Sequence, residues 1–459
     1  MPKISVLMPI LNAAAYLREC MDSVVGQTLK DIEIIPIDAG STDGSWEILE
    51  EYAKRDSRIR LIRSDRKSVG YQYNLGLAEA RGKYIGFVES DDYIALDMFE
   101  ILLGYAEKYE LDWVKSNYVC FMDYPQAGRQ MIPVNDEKYC KTEAVFNPQE
   151  CPKQYIREIF ICRGIYNTDF IRRNGIRLNE TAGAAFQDTG FILQAFMYAT
   201  RAFYINDYLY YYRRDNEGAS SHQVNTIRYE IDEVEYITSL IRKDAALYEL
   251  FWQVNYIRAV ERFLSAYERV PKISECEMDI LREVNRYRDY LTEGIRGNDE
   301  ILELCEMWGR LSEITWLMEG LERFDEEYRR IDTERERLLK KGIERVMKQP
   351  KVIVFGCGDN GTGMASLLLR LNKNQIICFS DNDKHKWNQL YMGIQVLPPE
   401  VLKVDKETVV LVANRNHFYE IRAQLMRLGI PSSRIWPCPR IMRFRGTNLL
   451  PEGDIVPLK

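Results

Sequence analysis

The first 120 residues alternate between short apolar runs and segments in which apolar positions recur at helical spacing. The apolar runs predict four strands, at residues 4–8, 32–37, 59–62 and 84–88. The other segments predict the helices that connect them, at residues 13–25, 45–55 and 69–80. This β-α-β-α rhythm predicts an α/β domain with a mostly parallel sheet and helices on both faces. Ligands of such sheets bind at the carboxyl ends of the strands, so candidate functional residues are expected there.

The pattern changes twice in the rest of the chain. Residues 121–222 are less regular, and residues 224–349 are dense in charge and almost free of proline, which predicts a helical region. An apolar stripe near its end predicts an intrachain packing face rather than a coiled coil, at Leu321, Phe324, Tyr328 and Ile331.

The last 109 residues return to an α/β alternation. Strands are predicted at residues 351–355, 376–379 and 408–412, and a helix at residues 362–371. We therefore predict three regions: an α/β domain over residues 1–223, a helical region over 224–349 and a second, Rossmann-like α/β domain over 350–459.

Composition narrows the class of protein. The chain of 459 residues carries 62 basic and 69 acidic side chains, so its net charge is −7, which argues against nucleic-acid binding. Three histidines leave little room for a histidine-rich site. The ten cysteines are scattered without a C-x-x-C pair, as reduced thiols of a cytoplasmic protein would be. No apolar run approaches 18 residues, so we expect at most peripheral contact with the inner face of a membrane.

Carboxylates cluster where two predicted strands end. The second strand is followed by the run Asp38 to Gly44, and the fourth by Glu89-Ser-Asp91-Asp92. Asp43 or Ser45 is expected to cap the helix that follows. Carboxylates spaced as in the Glu89–Asp92 run repel one another unless a cation is present, and all-oxygen ligands suit Mg²⁺ or Mn²⁺ bound with substrate phosphates. A solvated acidic turn is the alternative that spacing leaves open.

Three stretches together resemble glycosyltransferase family 2. They are Pro9-Ile-Leu-Asn12 through Tyr16 to the Asp38 run, Gly70 to Asn74 and Gly76, and Tyr84 through Glu89 to Tyr93. The resemblance covers roughly residues 3–222. It implies a GT-A-type fold, a nucleotide-activated sugar as donor, and a nucleoside contact for Asp38. The metal-binding acidic motif would fall on Glu89-Ser-Asp91, with Asp92 beside it, although Glu89 replaces the usual first aspartate.

Two later segments extend the resemblance to the acceptor side. Around Gln187-Asp188 the family carries the catalytic base, and here Asp188 keeps the aspartate while Gln187 replaces a glutamate. A helix N-cap is the structural alternative for Asp188. The run Tyr210 to His222 resembles the segment that closes over the diphosphate, where Arg213 or Arg214 would bind phosphate, or form an exposed surface strand instead.

The resemblance assigns a site residue by residue. Asp188 is the candidate catalytic base, and Asp91 and Asp92 are the candidate metal ligands. The candidate substrate-binding residues are Pro9, Asn12, Tyr16, Asp38, Asn74, Glu89, Arg213 and Arg214.

A third motif lies in the C-terminal region. Gly356-Cys-Gly358-Asp-Asn-Gly361 follows a predicted strand and opens a helix, and Asp381 ends the next strand, as in dinucleotide-binding turns. The region resembles Rossmann-like modules appended to methyltransferases and sugar enzymes, in which such glycines can serve only the turn. Nucleotide binding at Gly356–Gly361 therefore stays open.

These features predict a metal-dependent inverting glycosyltransferase. It would move a sugar from a nucleotide-sugar donor, a UDP-sugar by resemblance, to a hydroxyl of a glycan or lipid-linked acceptor in cell-surface polysaccharide biosynthesis. Two alternatives remain at this stage: an NAD(P)-dependent sugar-nucleotide enzyme working through the C-terminal domain, and a non-catalytic nucleotide-binding scaffold.

Overall fold

The computed structural model describes residues 1–124, 128–134, 142–156, 158, 160–184, 186–216, 226–371, 375–414 and 417–439. The chain forms two compact units. The first combines Met1–Cys120 with Pro133–Phe324, and the second combines Phe121–Ile132 with the chain from Asp325 onward. The helices before Phe324 therefore share a unit with the N-terminal sheet. The domain boundaries predicted at residues 223 and 349 stay predictions.

The first unit begins with alternating strands and helices. The strands are β1 (Ile4–Ile10), β2 (Ile32–Asp38), β3 (Ile62–Arg63), β4 (Tyr84–Phe87) and β5 (Tyr93–Ile94). The helices are α1 (Ala14–Val25), α2 (Ser45–Arg55), α3 (Val69–Glu79) and α4 (Met98–Tyr109). All seven residues of β1 are buried, as expected for a strand covered on both faces.

The middle of the chain completes the sheet and adds two short helices. The strands are β6 (Trp113–Tyr124), β7 (Gly128–Val134), β8 (Gly164–Asn167) and β9 (Ala202–Arg213), and the helices are α5 (Thr168–Arg173) and α6 (Asp188–Tyr198). The strand order is β3-β2-β1-β4-β8-β6-β9-β5, with β7 paired to β6.

The sheet is mixed rather than mostly parallel. Strands β3, β2, β1 and β4 run parallel, whereas β8 pairs antiparallel with both β4 and β6, and β5 pairs antiparallel with β9. Strand β2, which follows β1 in the chain, lies on one side of β1, and β4 lies on its other side. The carboxyl ends of β1 and β4 therefore flank a topological switch point, where open α/β sheets form their ligand crevice.

The predicted helical region is confirmed. It consists of α7 (Thr226–Ile241), α8 (Ala245–Tyr267), α9 (Met278–Ile295), α10 (Asp299–Met307), α11 (Leu311–Glu319) and α12 (Leu321–Met347). Asp244 caps α8 by accepting hydrogen bonds from Ala246 and Leu247. Leu321 and Phe324 of the predicted stripe are buried, and the Phe324 ring packs 4.9 Å from that of Tyr267.

The second unit contains a six-stranded, mostly parallel sheet. Its strands are β10 (Lys351–Phe355), β11 (Ile376–Ser380), β12 (Leu390–Tyr391), β13 (Ile394–Leu397), β14 (Thr408–Val412) and β15 (Ile435–Pro437). The order is β12-β13-β11-β10-β14-β15, parallel except for β12. Helices α13 (Asp359–Leu371) and α14 (Phe418–Arg427) bury apolar residues against opposite faces, which makes this a doubly wound α/β fold.

Two further features bear on the sequence expectations. The nine described cysteines are all free, and six of them are buried; Cys140 lies outside the described residues. None of the helices within the described ranges is long and apolar enough to cross a membrane.

Candidate functional site

The loop that follows β2 folds around the carboxylate of Asp38. This side chain is fully buried, and it accepts hydrogen bonds from the backbone N–H groups of Gly40, at 2.9 Å, and Ser41, at 3.1 Å. Gly40 has a φ of +82°, a value that favours glycine, so the loop can turn back on its own aspartate. The predicted nucleoside contact of Asp38 is not tested, and the bonds observed fix the loop that ends β2.

The loop after β1 is tied to the same segment. Asn12 donates its backbone N–H to the Ser41 hydroxyl and accepts from the Thr42 N–H through its side chain, both at 2.9 Å. Asp43 accepts hydrogen bonds from the first N–H groups of two helices, Ala14 of α1 and Ser45 of α2. Asp43 is not the N-cap residue of either helix, since Ala13 and Gly44 hold those positions, but its carboxylate satisfies the first N–H group of both. The carboxyl ends of β1 and β2 are thus held as one rigid edge.

Glu89 lies where β4 ends, with its carboxylate turned inward. Its Oε1 atom accepts a hydrogen bond from the Tyr73 hydroxyl at 3.0 Å. The pKa of Glu89 is raised to about 7, chiefly by burial and also by the negative charges of Asp91 and Asp188, while the Tyr73 hydrogen bond opposes the rise. Because the charge of Asp188 acts on Glu89, the two predicted acidic sites belong to one electrostatic environment.

Asp91 and Asp92 are linked to the end of β9 through Arg213. The Arg213 N–H donates to Asp92 Oδ1 at 2.8 Å, and its Nε donates to the Asp91 carbonyl oxygen at 2.9 Å. The Tyr210 hydroxyl donates to Asp92 Oδ2 at 2.6 Å. Burial raises the pKa of both carboxyl groups. Asp92 is 1% exposed and both its oxygens have protein partners, so this arrangement leaves Asp91 as the more available carboxylate.

The guanidinium of Arg213 is buried beside α1. It pairs with Glu19 at 2.6 Å and lies 4.6 Å from the centroid of the Tyr16 ring. Arg214 lies 5.2 Å from the ring of Tyr212. Tyr16, Arg213 and the acidic turn therefore meet at one place. Residues 217–225, which include His222, lie outside the described residues.

Two other predicted substrate-binding residues have evident structural partners. Pro9 is buried near the end of β1, opposite Ile37 of β2. The Asn74 side chain donates to the Leu178 carbonyl and to Glu180 Oε1, both at 2.9 Å, and accepts from the Leu178 N–H at 3.0 Å. Asn74 thus anchors the segment that leads to Asp188, and a substrate contact for either residue stays a prediction.

Asp188 is the first residue of α6, with Gln187 at the N-cap position. Burial raises the pKa of Asp188, and the positive charges of Arg262 and Arg258 partly offset this. The side-chain amide of Gln187 donates to the Thr181 hydroxyl at 3.0 Å and to the carbonyl oxygens of Thr181 and Gly183. Gln187 therefore stabilises the preceding loop through its side chain. Asp188 is the carboxylate at the start of α6.

A divalent cation would need ligands from its substrate at this site. Within the described residues, no three histidine, cysteine, aspartate or glutamate side chains are grouped to hold a metal ion. Asp91 can offer a carboxylate, and its Oδ2 is hydrogen bonded to the Asn216 amide at 2.8 Å. One carboxylate plus phosphate oxygens is a usual coordination for Mg²⁺, so the residues fit a cation that binds together with a diphosphate.

Sequence reasoning missed three charged groups whose electrostatic effect reaches Asp188, and also Glu230, the partner of one of them, Arg262. They belong to helices that were read as a separate region: Glu230 and Glu233 of α7, and Arg258 and Arg262 of α8. All four fall in amphipathic segments whose charges are ordinarily expected on a solvated face. The signal available in the sequence was weak: two arginines one helical turn apart in α8, separated by Ala259, Val260 and Glu261.

The glycine-rich turn of the second unit has internal partners. Gly356 has a φ of +103°, and a Cβ on Gly361 would collide with the Gly356 carbonyl oxygen. The Asp381 carboxylate accepts from the Cys357 N–H at 2.9 Å and pairs with Lys386 at 3.2 Å. The turn itself accounts for Gly356, Gly361 and Asp381, whereas a Cβ on Gly358 would meet nothing within 4 Å. A nucleotide at this turn stays a prediction.

Comparison with known proteins agrees with the N-terminal architecture. Residues 5–163 match the family model described as glycosyl transferase family 2, and residues 348–436 match one described as C2185-like, N-terminal. The uncharacterized glycosyltransferase EpsJ of Bacillus subtilis is 35% identical over 218 residues, which are 47% of this chain and 62% of EpsJ. Glycosyltransferase GlyG of Streptococcus pneumoniae is 31% identical over 217 residues, which are 46% of this chain and 70% of GlyG. The chain belongs to glycosyltransferase family 2.

A solved structure shows the same fold. The S. aureus TarS fragment 1–349, crystallised with UDP, superposes with a TM-score of 0.51 at 18% identity, over 72% of this chain and 91% of the fragment. The chain spans about three fifths of the length of the first two curated relatives it matches.

Proposed function

We propose that this protein is an inverting glycosyltransferase that moves a sugar from a UDP-sugar to a hydroxyl group of a glycan or lipid-linked acceptor. One observation carries the proposal. Asp38 ends β2, the Glu89–Asp92 turn follows β4, both strands pair with β1, and the negative charge of Asp188 contributes to the raised pKa of Glu89. Such a transfer requires three parts: a site for the nucleotide, acidic residues near its diphosphate, and a base near the acceptor. The Asp38 loop, the Glu89–Asp92 turn and Asp188 would supply them.

The donor would bind across the ends of β1, β2 and β4. The rigid loop around Asp38 and Asn12 offers a floor for the nucleoside, and the Glu89–Asp92 turn lies beside it at the switch point. The UDP in the TarS crystal structure supports a uridine nucleotide here, through likeness of fold alone. Arg213, held by Glu19 and by the Asp91 carbonyl, would place positive charge near the diphosphate.

A divalent cation, Mn²⁺ or Mg²⁺, would be held by Asp91 together with the donor diphosphate. When bound, it neutralises the charge that develops on the leaving diphosphate. The other two carboxylates of the turn have protein partners. Asp92 accepts hydrogen bonds from Tyr210 and Arg213 at the end of β9, and Glu89 accepts one from Tyr73.

Asp188 would take the proton of the acceptor hydroxyl. A sugar hydroxyl is a weak nucleophile, and a positioned base that removes its proton as it attacks accelerates the reaction by about 10²- to 10⁴-fold. The acceptor oxygen attacks the anomeric carbon on the face opposite UDP. UDP leaves as the new bond forms, and the configuration of the anomeric carbon is inverted. Gln187 cannot share this task, because an amide does not accept a proton near neutral pH and its N–H groups are bonded to residues 181–183.

A panel of ligands tests the proposal. Thermal unfolding of the full chain would be followed with UDP, UDP plus Mn²⁺, NAD⁺ and NADP⁺, and UDP release would be measured over a set of UDP-sugars. We expect stabilisation by UDP with Mn²⁺ and UDP release from at least one sugar nucleotide, since a ligand that binds only the folded state raises its stability. Stabilisation by NAD⁺ or NADP⁺ without any response to UDP would contradict the proposal.

A further inference from the structure

Arg262 of α8 contacts residues on both sides of Asp188. Its Nη2 group donates a hydrogen bond to the hydroxyl of Thr189, the residue after Asp188. Its guanidinium carbon lies 5.1 Å from the centroid of the Phe186 ring, two residues before Asp188. The Nη1 group donates to the Glu230 carboxylate of α7. One side chain therefore joins the start of α6 to both α7 and α8.

The segment that Arg262 contacts has an unusual backbone. Phe186 has a φ of +63°, in the left-handed region that bulky residues rarely adopt. Such a conformation persists where the surrounding structure holds it in place, and it is common next to functional groups. Here the stacking with Arg262 and the bonds of Gln187 to residues 181–183 hold the turn that presents Asp188.

Helix α7 adds a second point of support. Glu233 accepts hydrogen bonds from the Gly190 N–H at 2.9 Å and from the Asn179 side chain at 3.1 Å. A Cβ on Gly190 would collide with Glu233, so α7 and the first turn of α6 approach as closely as backbone allows. The position of Asp188 thus depends on helices outside the segment matched by the family model, which ends at residue 163.

Charges of both signs face Asp188. The positive ones are Arg262 and Arg258 of α8 and Lys115 of β6. The acidic and weakly acidic groups come from other elements: Glu89 after β4, Glu233 of α7, and Tyr155, Cys162 and Tyr166. Of these cations, Arg262 donates a hydrogen bond to the side chain of Thr189, the residue that follows Asp188.

We propose that Arg262 is a positioning residue for Asp188, which ties Thr189 to Glu230 and so fixes the carboxylate that receives the acceptor proton. The inference rests on the proposed function, because it assigns Arg262 a role in proton transfer. The same inference means that helices α7 and α8 contribute to the proposed site and do not only connect two domains.

The test uses three variants of the full chain. R262Q removes the charge and the fork of donors, R262K keeps the charge alone, and T189V removes the hydroxyl that Arg262 contacts. R286Q is the matched control, since Arg286 also pairs with α7, through Asp232 and Glu235. For each variant, kcat, the KM for the acceptor, UDP affinity and the pH profile of kcat/KM are measured with the UDP-sugar selected by the donor panel.

We expect R262Q to lower kcat about 10- to 100-fold with UDP affinity unchanged. The acid limb of its kcat/KM profile should move up by about one pH unit, because the loss of a positive charge near Asp188 raises the pKa of that carboxyl group. R262K should restore the acid limb but only part of kcat, since an ammonium cannot bridge Thr189 and Glu230 as a planar fork does. T189V should lower kcat several-fold, and R286Q should match the wild type.

Two outcomes would overturn the inference. If R262Q and T189V keep the wild-type kcat and acid limb, Arg262 does not position the base. If kcat falls only in proportion to thermal stability while the acid limb stays in place, Arg262 is merely structural. D188N measured in parallel separates this failure from that of the proposed function: loss of transfer in D188N with wild-type behaviour in R262Q and T189V rejects only the role of Arg262.

Discussion

The side-chain amide of Asn216 donates a 2.8 Å hydrogen bond to the Oδ2 atom of Asp91. Asn216 follows β9 by three residues, and Arg213 at the end of that strand donates to the Asp91 carbonyl oxygen. The same short segment therefore contacts both the side chain and the backbone of the proposed cation ligand. A cation that uses Oδ2 has to displace the Asn216 amide.

This relationship sets opposite expectations for two variants. Asp91→Asn should abolish the cation-dependent part of UDP stabilisation. The whole stabilisation is about 2.7 kcal/mol at a UDP concentration 100 times its Kd. Asn216→Ala should keep that part and strengthen Mn²⁺ binding several-fold, because no hydrogen bond has to be broken. Thermal unfolding with UDP, with and without Mn²⁺, measures both.

Asp207→Asn is the matched control, an exposed aspartate on the same strand β9. It should leave the response to UDP and Mn²⁺ unchanged. UDP binding of equal strength with and without cation in the wild type would remove Asp91 from the proposal.

Stability should depend on pH through Glu233. Its pKa is raised to about 8, chiefly by burial and also by the charge of Asp188, while the Asn179 hydrogen bond and Arg262 oppose the rise. An unfolded glutamate titrates near pH 4.3, so between about pH 4 and pH 8 the folded chain keeps a proton that the unfolded chain has lost. The free energy of unfolding should therefore fall by up to about 1.4 kcal/mol per pH unit across this window.

Glu233→Gln should remove this slope, so its stability relative to the wild type should rise from pH 5 to pH 8. Glu235→Gln, on the same helix but 44% exposed, controls for the loss of a carboxylate. Denaturant unfolding of the three proteins at several pH values is the measurement. Parallel curves for wild type and Glu233→Gln would show that Glu233 is ionised in the folded state throughout.

The glycine-rich turn of the second unit offers a pair of matched substitutions. A Cβ on Gly361 meets the Gly356 carbonyl oxygen, whereas a Cβ on Gly358 meets nothing within 4 Å. Gly361→Ala should destabilise the chain by about 1–3 kcal/mol through overpacking. Gly358→Ala should cost less, about 1 kcal/mol or below. Neither should change UDP affinity or UDP release at a temperature where both are folded, because the proposed site lies in the first unit. Loss of UDP release in a folded Gly358→Ala would assign the turn a function.

Local patterns in the sequence were enough to predict most elements of both sheets. Helix α2 spans Ser45–Arg55 and strand β10 spans Lys351–Phe355, as the apolar spacing indicated. Helix α13 begins at Asp359 rather than at residue 362, since the last glycine of the turn already lies in the helix. Strand β3 shrinks to Ile62–Arg63, with Ile59 forming only an isolated bridge to Ile34.

Long-range pairing was beyond the reach of such patterns. The two residues of β5 pair with Tyr210 and Tyr211, more than 110 positions away, and the apolar run of β4 gave no sign that its second neighbour is antiparallel. The same limit applies to the site. Residue type and resemblance pointed to Asp38, Asp91 and Asp188, but Arg262 and Asn216 are recognisable only from what they contact.

The proposed transfer mechanism depends most on Asp188, and one variant tests this dependence directly. Asp188→Asn keeps the volume of the side chain and still suits the start of a helix, so folding and UDP affinity should not change. Without a base, transfer should fall about 10²- to 10⁴-fold. Glu180→Gln serves as the comparison, since Glu180 is the nearest carboxylate upstream in the sequence and is bonded to Asn74 and Arg177.

The measurement is the rate of sugar transfer at saturating donor and Mn²⁺. UDP affinity is determined separately, without donor, on the same purified protein. The proposed mechanism predicts that Asp188→Asn binds UDP as the wild type does and loses transfer, whereas Glu180→Gln retains transfer. Transfer by Asp188→Asn at the wild-type rate would contradict it and place the base elsewhere.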